Sequence, residues 1–267
     1  MLRTWRPSKA ILASVALHVG AVVALLAGLA WPWVIGVVLA NHLALTAAGL
    51  WARSTLLGAN ITRMPDSWCE AKHVALTLDD GPNPDVTPQV LDMLDAFSAK
   101  ASFFCPGHAI ETYPQLAREI IRRGHSIENH SYGHKHHFSL MGMGTLRQDI
   151  EKAQKIITHT TGYQPRYFRA PVGLRSPLLD PVLQSLNLKL VSWTRRGFDT
   201  ITNDPATVLA RLERDLRAGD ILLLHDGNSA TTKDGKPVVL EVLPKLLAVL
   251  HGAGLQAVAL NYVPIKT

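Results

Sequence analysis

Acidic residues are missing from the first quarter of this 267-residue chain: before Met64 there are five basic side chains (Arg3, Arg6, Lys9, Arg53 and Arg63) and no Asp or Glu. The net charge of +6 therefore belongs to that region, because the remainder carries 22 basic against 21 acidic groups. A nearly neutral body lacks the basic footprint that nucleic-acid binding requires, so no nucleic-acid partner is expected. Cysteine is scarce as well. Cys69 and Cys105 are the only two, too few for a disulfide framework in a chain of this length. Cys105, inside Ser-Phe-Phe-Cys, reads as a free core thiol. Low-complexity segments and internal repeats are absent outside the amino-terminal apolar region, and the length suits one large α/β domain with an appendage.

The scarcity of charge leaves two long apolar runs. Ala10 to Ala30 is 21 residues without a formal charge, with His18 as its one ionisable side chain, and about 20 residues cross a bilayer core. Trp31-Pro32-Trp33 follows, where Pro32 is expected to end the first helix and the indoles suit a membrane–water interface. A second run covers Val34 to Leu50. These runs predict a transmembrane helical hairpin over about 10–30 and 34–50 within an anchor spanning 1–52, then a linker over 53–72. Basic residues flank both ends and the connecting turn has none. The positive-inside rule then puts both ends, and the domain behind them, on the cytoplasmic side of a bacterial-type inner membrane. Two other readings stay open: a signal peptide cleaved near Ala30, and one segment lying in the interface without spanning.

From His73 onward, short apolar runs alternate with amphipathic stretches. Strands are expected over 73–78, 101–105, 125–128, 166–169, 189–193, 220–225 and 255–260. Helix starts are expected at Thr87-Pro88, at Pro114, at Thr145-x-x-Gln148 as a capping box, at Ser176-Pro177 and at Asp204-Pro205. Gly124 and Gly162 read as helix stops. Seven strands alternating with helices predict a parallel sheet closed into a barrel over 73–267, and such barrels carry their chemistry at the carboxy-terminal strand ends.

Polar residues fall at those ends. Val74-Ala-Leu-Thr-Leu runs into Asp79-Asp80-Gly81-Pro82, two adjacent carboxylates that resist joint ionisation unless a cation is near. His130 and His134 are spaced to face one way on a helix or through a tight loop at Gly133, and imidazole suits first-row metals. With Asp80 they form a two-His, one-carboxylate set that leaves a coordination position for water, as a catalytic metal site requires. His136 and His137 read as surface or supporting residues. Arg169 follows a strand, where a paired hydrogen bond can hold Asp79. His225 closes the apolar run Ile221-Leu-Leu-Leu224.

Thr77-Leu-Asp-Asp-Gly-Pro, Asn129-His130-Ser-x-x-His134, Arg169-x-Pro171 and Leu222-Leu-Leu-His225-Asp resemble, in order, the motifs of the polysaccharide deacetylases, also called the NodB-homology or carbohydrate esterase family 4 domain. The resemblance runs from about Val74 to Leu260. It implies a distorted (β/α)7 barrel and a divalent metal, usually zinc, with cobalt, nickel or manganese open. The implied activity removes an N-acetyl, or less often an O-acetyl or N-formyl, group from a sugar.

Carried over by position, Asp79 would be general base and Asp80, His130 and His134 metal ligands. Arg169 would orient Asp79, and His225 would be general acid supported by Asp199. The Val172 N–H would donate to the oxyanion, with Pro171 and Trp193 beside it at the substrate. The nucleophile would be water activated by the metal.

Two departures matter. The third motif usually ends in an aromatic residue where Val172 stands. The fourth usually carries two acids and a Trp, whereas Trp193-Thr-Arg-Arg196-Gly-Phe-Asp199-Thr200 has Arg196 for one acid and Thr200 for the Trp. The sugar pocket should therefore differ from that of chitin or peptidoglycan deacetylases. With the domain at the inner leaflet, a polyprenyl-linked amino sugar is the expected substrate and membrane lipid a partner. A periplasmic polysaccharide follows if the orientation is reversed. A catalytically silent carbohydrate-binding scaffold is the alternative from another class, and a phosphohydrolase explains neither His-x3-His nor His225.

Overall fold

The computed structural model describes residues 5–262; Arg3 and residues 263–267, assigned above to the anchor's flank and to the domain, lie outside them. Two helices come first, α1 (Lys9–Leu26) and α2 (Trp31–Leu50). The Ser8 side chain accepts from the Ile11 N–H at the start of α1, which satisfies one of the donors orphaned there. The first helix ends at Leu26, earlier than expected, and the turn passes through Gly28 at φ 84°. Pro32 therefore does not end α1. It sits in the first turn of α2, where its missing N–H costs nothing. Both helices are long and apolar enough to cross a membrane. Between them Asn41 Nδ2 donates to Ser14 Oγ (2.8 Å), and the rings of His18 and His42 approach to 3.3 Å. Polar contacts of this kind join apolar helices that have no hydrophobic reason to associate in lipid.

After the short α3 (Asp66–Glu70), the chain builds a curled parallel sheet wrapped in helices. The strands are β1 (His73–Asp79), β2 (Ser102–Cys105), β3 (Ser126–Asn129), β4 (Tyr167–Phe168), β5 (Lys189–Leu190), β6 (Arg195–Arg196), β7 (Ile221–His225) and β8 (Gln256–Val258). Between them run α4 (Thr87–Ala96), α5 (Gly107–Thr112), α6 (Pro114–Arg122), α7 (Met143–Thr161), α8 (Leu179–Ser185), α9 (Pro205–Glu213) and α10 (Val238–Gly252). The sheet order is β5-β4-β3-β2-β1-β7-β6, with β8 paired to the first half of β1. This is the distorted barrel expected. Its two edge strands are consecutive in the chain: the strand expected at 189–193 is cut short as β5 at Leu190, and pairing resumes in β6 beyond a kink at residues 191–194.

Side chains on β1 alternate, as the period of a strand requires. Val74, Leu76 and Leu78 pack outward with Phe103, Leu222 and Leu243 of the main core, while Ala75 joins Phe104, Val191 and Ile221 in a separate interior cluster. Asp79 shares the parity of Ala75 and Thr77, so it emerges on the interior side.

Three expected helix caps are corrected. The Thr145–Gln148 box lies inside α7, which begins at Met143 behind Gly142. Thr87 is the first residue of α4, and its hydroxyl bonds elsewhere. Ser176-Pro177 precede α8, which starts at Leu179. Asp204 does cap α9 through the Thr207 N–H, and Gly162 ends α7 at φ 72°.

The segment leaving α2 is fastened to the barrel. The Arg175 N–H donates to the Gly49 carbonyl (3.2 Å), and Ser192 Oγ donates to the Ala52 carbonyl (2.6 Å). Ile61 lies in register beside Val191, its N–H donating to the Leu190 carbonyl and its carbonyl accepting from Ser192. A Cβ at Gly49 would stand 2.3 Å from the Arg175 carbonyl oxygen. Gly49→Val should therefore destabilise the protein by about 1–3 kcal/mol, the usual range for overpacking. Thermal unfolding in detergent checks this, and an unchanged melting temperature would show that the contact carries no stability.

Candidate active site

Parallel pairing brings the site together at one end of the sheet. Asp79 is the register partner of His225 on one side and of Phe104 on the other, and the Arg169 N–H donates to the Asn129 carbonyl just past β3. The chain then turns at Asp80, which is left-handed at φ 74°, and enters Gly81. Only glycine fits there, because a Cβ would lie 2.1 Å from the Asp226 carboxylate. Burial pushes the Asp226 carboxyl up to about 7, against a hydrogen bond from Thr87 Oγ1 (2.5 Å).

His130 and His134 lie on a loop, not a helix. Ser131 and His134 are left-handed (φ 64° and 45°), and the loop is tied down from below. Asn129 Oδ1 accepts from the Ser131 N–H, Asp149 accepts from the Tyr132 and Gly133 N–H groups, and Ser131 Oγ accepts from the His134 N–H.

Asp79 and Arg169 form a buried ion pair, Nη1 to Oδ1 at 2.6 Å. The hydrogen bond is single, not the paired one expected from sequence. The other Arg169 donors are used elsewhere: Nη1 also reaches Thr77 Oγ1, Nη2 the Ser192 carbonyl and Nε the Val191 carbonyl. The guanidinium also stacks on Phe104 at 4.0 Å. Thr77 is a supporting residue not expected from the motifs, and its place two residues before Asp79 on one strand face is the signal for it.

Asp80, His130 and His134 offer three ligand atoms that all lie within 4.8 Å of one another. Asp80 Oδ1 is 3.0 Å from His134 Nε2 and 3.4 Å from His130 Nε2, yet this buried oxygen makes no aligned hydrogen bond. Atoms that converge without bonding to each other are arranged around a shared point. His130 Nδ1 is engaged by the Arg169 carbonyl (2.8 Å), which leaves Nε2 as the free lone pair. The residues present fit a divalent cation, with a donor set suited to zinc. Burial works against ionisation of Asp80, but the two imidazoles outweigh it and hold the carboxyl well below its usual range. For His134, burial favours the neutral ring and the Asp80 carboxylate prevails, so its pKa moves upward.

His225 is fastened to Asp199 twice: Nδ1 to Oδ1 at 2.9 Å, and backbone N–H to Oδ2 at 2.7 Å. Burial disfavours its imidazolium, but Asp199 overcomes this and the His225 pKa rises above its ordinary value. Asp79, Asp80, His130, His134, Val172, Trp193 and His225 line one pocket together with Arg196, Thr200 and the exposed His136. Arg169 and Asp199 stand behind the residues they bond. Pro171 is buried and opens the turn Pro171–Gly173, and His137 is exposed.

Val172 is the strained residue of the site. A β-branched side chain at φ 58° is a genuine backbone outlier. Its N–H donates to no acceptor among the described residues, whereas the next two N–H groups are bonded to Ala170 and Pro171.

A curled parallel barrel thus gathers two acids, three histidines and an arginine at one end of its sheet, the arrangement of an α/β barrel active site. The family model for polysaccharide deacetylases matches residues 69–191. A chitooligosaccharide deacetylase of Azorhizobium caulinodans is 35% identical over 155 residues, 58% of this chain and 73% of that protein. A peptidoglycan-N-acetylglucosamine deacetylase of Bacillus cereus is 30% identical over 66% of this chain and 82% of its own. Among solved structures, a carbohydrate esterase family 4 pseudoenzyme from Bacillus anthracis superposes with a TM-score of 0.67 at 23% identity, covering 76% of this chain and 67% of that one. The chain belongs to the polysaccharide deacetylase family.

A left-handed Val stores of the order of 1–3 kcal/mol. Val172→Gly should release part of it and raise unfolding stability by about 1 kcal/mol. Denaturant unfolding of the variant beside the parent checks this, and a loss of stability would mean the Val side chain contributes more than its backbone costs.

Proposed function

We propose that the protein is a membrane-anchored, metal-dependent hydrolase that removes an N-acetyl or N-formyl group from an amino sugar carried on a lipid-linked glycan. One observation carries the reading: the Asp79–Arg169 pair stands beside three converging ligand atoms and opposite the His225–Asp199 pair. Residues 1–52 are read as anchor, 53–72 as connection and 73–267 as the catalytic unit.

Asp80, His130 and His134 would hold the cation, which when bound polarises an amide carbonyl and acidifies water. Asp79 is the base that accepts the water proton, and Arg169 fixes it in position. The free N–H of Val172 donates to the oxygen that becomes negative in the transition state. His225, whose pKa Asp199 raises, hands a proton to the departing sugar amine. Both protons are accounted for, one taken at Asp79 and one given at His225.

Two features support a membrane-borne substrate. The helices preceding the barrel are apolar enough to span, and the segment that leaves them is bonded to the loop and strands beside Val172 and Trp193. With Arg6, Lys9, Arg53 and Arg63 flanking an uncharged turn, the catalytic unit is read as cytoplasmic at the inner membrane.

The test is acid release by metal-loaded full-length protein, scoring acetate and formate separately. Polyprenyl-linked amino sugars would be compared with N-acetylglucosamine oligomers. Release from the lipid-linked sugars alone is expected. Release from polymer alone would move the domain to the periplasmic side, and bound metal without release would favour the silent scaffold. Asp79→Asn should retain metal and lose turnover by at least about 10²-fold. His130→Ala should lose both, with metal read by elemental analysis.

Activity should also depend on pH through His225. Because Asp199 raises the pKa of His225, and a general acid works only when protonated, removing that carboxylate lowers the pKa and moves the alkaline limb of kcat to lower pH. Asp199→Asn should therefore show this displacement in its pH–rate profile, and an unmoved limb would separate Asp199 from the acid.

A further inference from the structure

We propose that Arg196 seats a phosphate ester on the substrate and selects phosphate-bearing amino sugars over neutral oligomers. The proposal rests on the hydrolase reading above and goes beyond it by naming the charge the substrate carries.

Arg196 lines the same pocket as Asp79, Asp80 and His225. Its guanidinium carbon lies 5.2 Å from the ring centre of Trp193 and 5.0 Å from that of Phe198, within cation–π range of both. Its Nε is buried and has no hydrogen-bond partner. Among the described residues it forms no ion pair, in contrast to Arg169 and Arg195, which hold Asp79 and Asp220. Among the described residues Asp79 faces Arg169, His225 faces Asp199 and Asp80 faces the imidazoles of His130 and His134, whereas no carboxylate lies within ion-pair distance of Arg196. Arg196 is the positive charge left over. A half-buried cation without a counter-charge costs stability, and a ligand oxyanion removes that cost. The guanidinium fork suits phosphate, which it can grip through two parallel N–H groups.

The place of Arg196 in the fold favours phosphate as the oxyanion. Arg53, three residues past the end of the second apolar helix, donates to the carbonyl of Thr194, two residues before Arg196. The pocket wall that bears Arg196 therefore stands at the foot of the anchor, and sugars held on membrane carriers are joined to them through phosphate. The same chemistry is offered by a soluble sugar phosphate, so the test separates the two sources.

Full-length zinc-loaded protein in detergent would be assayed for acid release from three probes. These are polyprenyl-phosphate-linked N-acetylglucosamine, N-acetylglucosamine 1-phosphate and a neutral N-acetylglucosamine oligomer. Wild type should prefer the phosphate-bearing probes. In Arg196→Met, which keeps a long side chain beside the two rings, the ratio of kcat/KM for phosphate-bearing over neutral probe should fall by about 10–100-fold, mostly through KM, the scale of one charged hydrogen-bond set. Arg196→Lys should recover part of the loss. Preference for the lipid-linked probe over the soluble phosphate assigns the source to the membrane, and the reverse assigns it to a soluble sugar phosphate.

Binding of N-acetylglucosamine 1-phosphate to the protein, followed by calorimetry, gives a second readout. If no probe releases acid but binding is present and weakened in Arg196→Met, the phosphate seat stands and the hydrolase reading falls. If acid is released with no preference for phosphate, or the ratio is unchanged in Arg196→Met, the hydrolase reading stands and this proposal is overturned. Absence of both release and binding overturns it too. Should Arg196→Met fail to fold, the wild-type preference and the Arg196→Lys ratio decide.

Discussion

The buried pair of Arg169 and Asp79 is the constraint around which the site is built. Arg169 is the bulkiest side chain that is fully buried, and a guanidinium is tolerated there because its donors are spent on Asp79, Thr77 and two backbone carbonyls. Removing one partner of such a pair costs roughly 3–5 kcal/mol, because the other is left charged and unmatched. The pair therefore fixes more than the orientation of one carboxylate. It ties β1 to the ends of β4 and β5, and the Arg169 carbonyl in turn orients His130. The position of Asp79 and the lone pair of His130 Nε2 thus depend on one residue, through its side chain and its own carbonyl.

Much of this was legible in the sequence, for physical reasons that differ by residue. Asp79 and His225 close apolar runs, Arg169 follows a strand, and Asp80, His130 and His134 lie in the loops just beyond strand ends, which parallel pairing makes neighbours. Caps were less legible. Thr87 looks like a helix cap because hydroxyl, proline and apolar spacing agree locally, yet its hydroxyl serves Asp226, a residue far away in sequence. The strand over 189–193 was misjudged because a kink between Val191 and Thr194 is set by pairing with Ile61 and Ile221, not by any local signal. The strain at Val172 was likewise invisible, since Val is ordinarily a strand former. Arg196 was visible as a departure from the family pattern, but that it forms no ion pair among the described residues belongs to the structure.

Charge organises the two halves of the molecule differently. In the barrel, Asp79 is paired with Arg169 and His225 with Asp199 at the pocket, and the main core around β1 and β7 is apolar. In the hairpin, the polar groups between the helices are few and meet one another, Ser14 with Asn41 and His18 with His42. The junction uses neither device. It relies on backbone carbonyls of the departing chain, a close approach at Gly49 and side chains of the barrel that reach across to them.

The extended stretch around Ile61 has a bearing on how the protein is made. It lies along Val191, at the seam where the first and last strands of the sheet path belong to one run of chain. A sheet edge left uncovered is a template for pairing with another molecule. Synthesis proceeds from the amino terminus, so the hairpin and this edge cover exist before any strand of the barrel. The last seam of the sheet is then sealed by a segment already tethered at the foot of the hairpin. The pocket wall at Trp193 is thereby held to that tether by backbone bonds on both sides of Val191, not joined to it by a free linker.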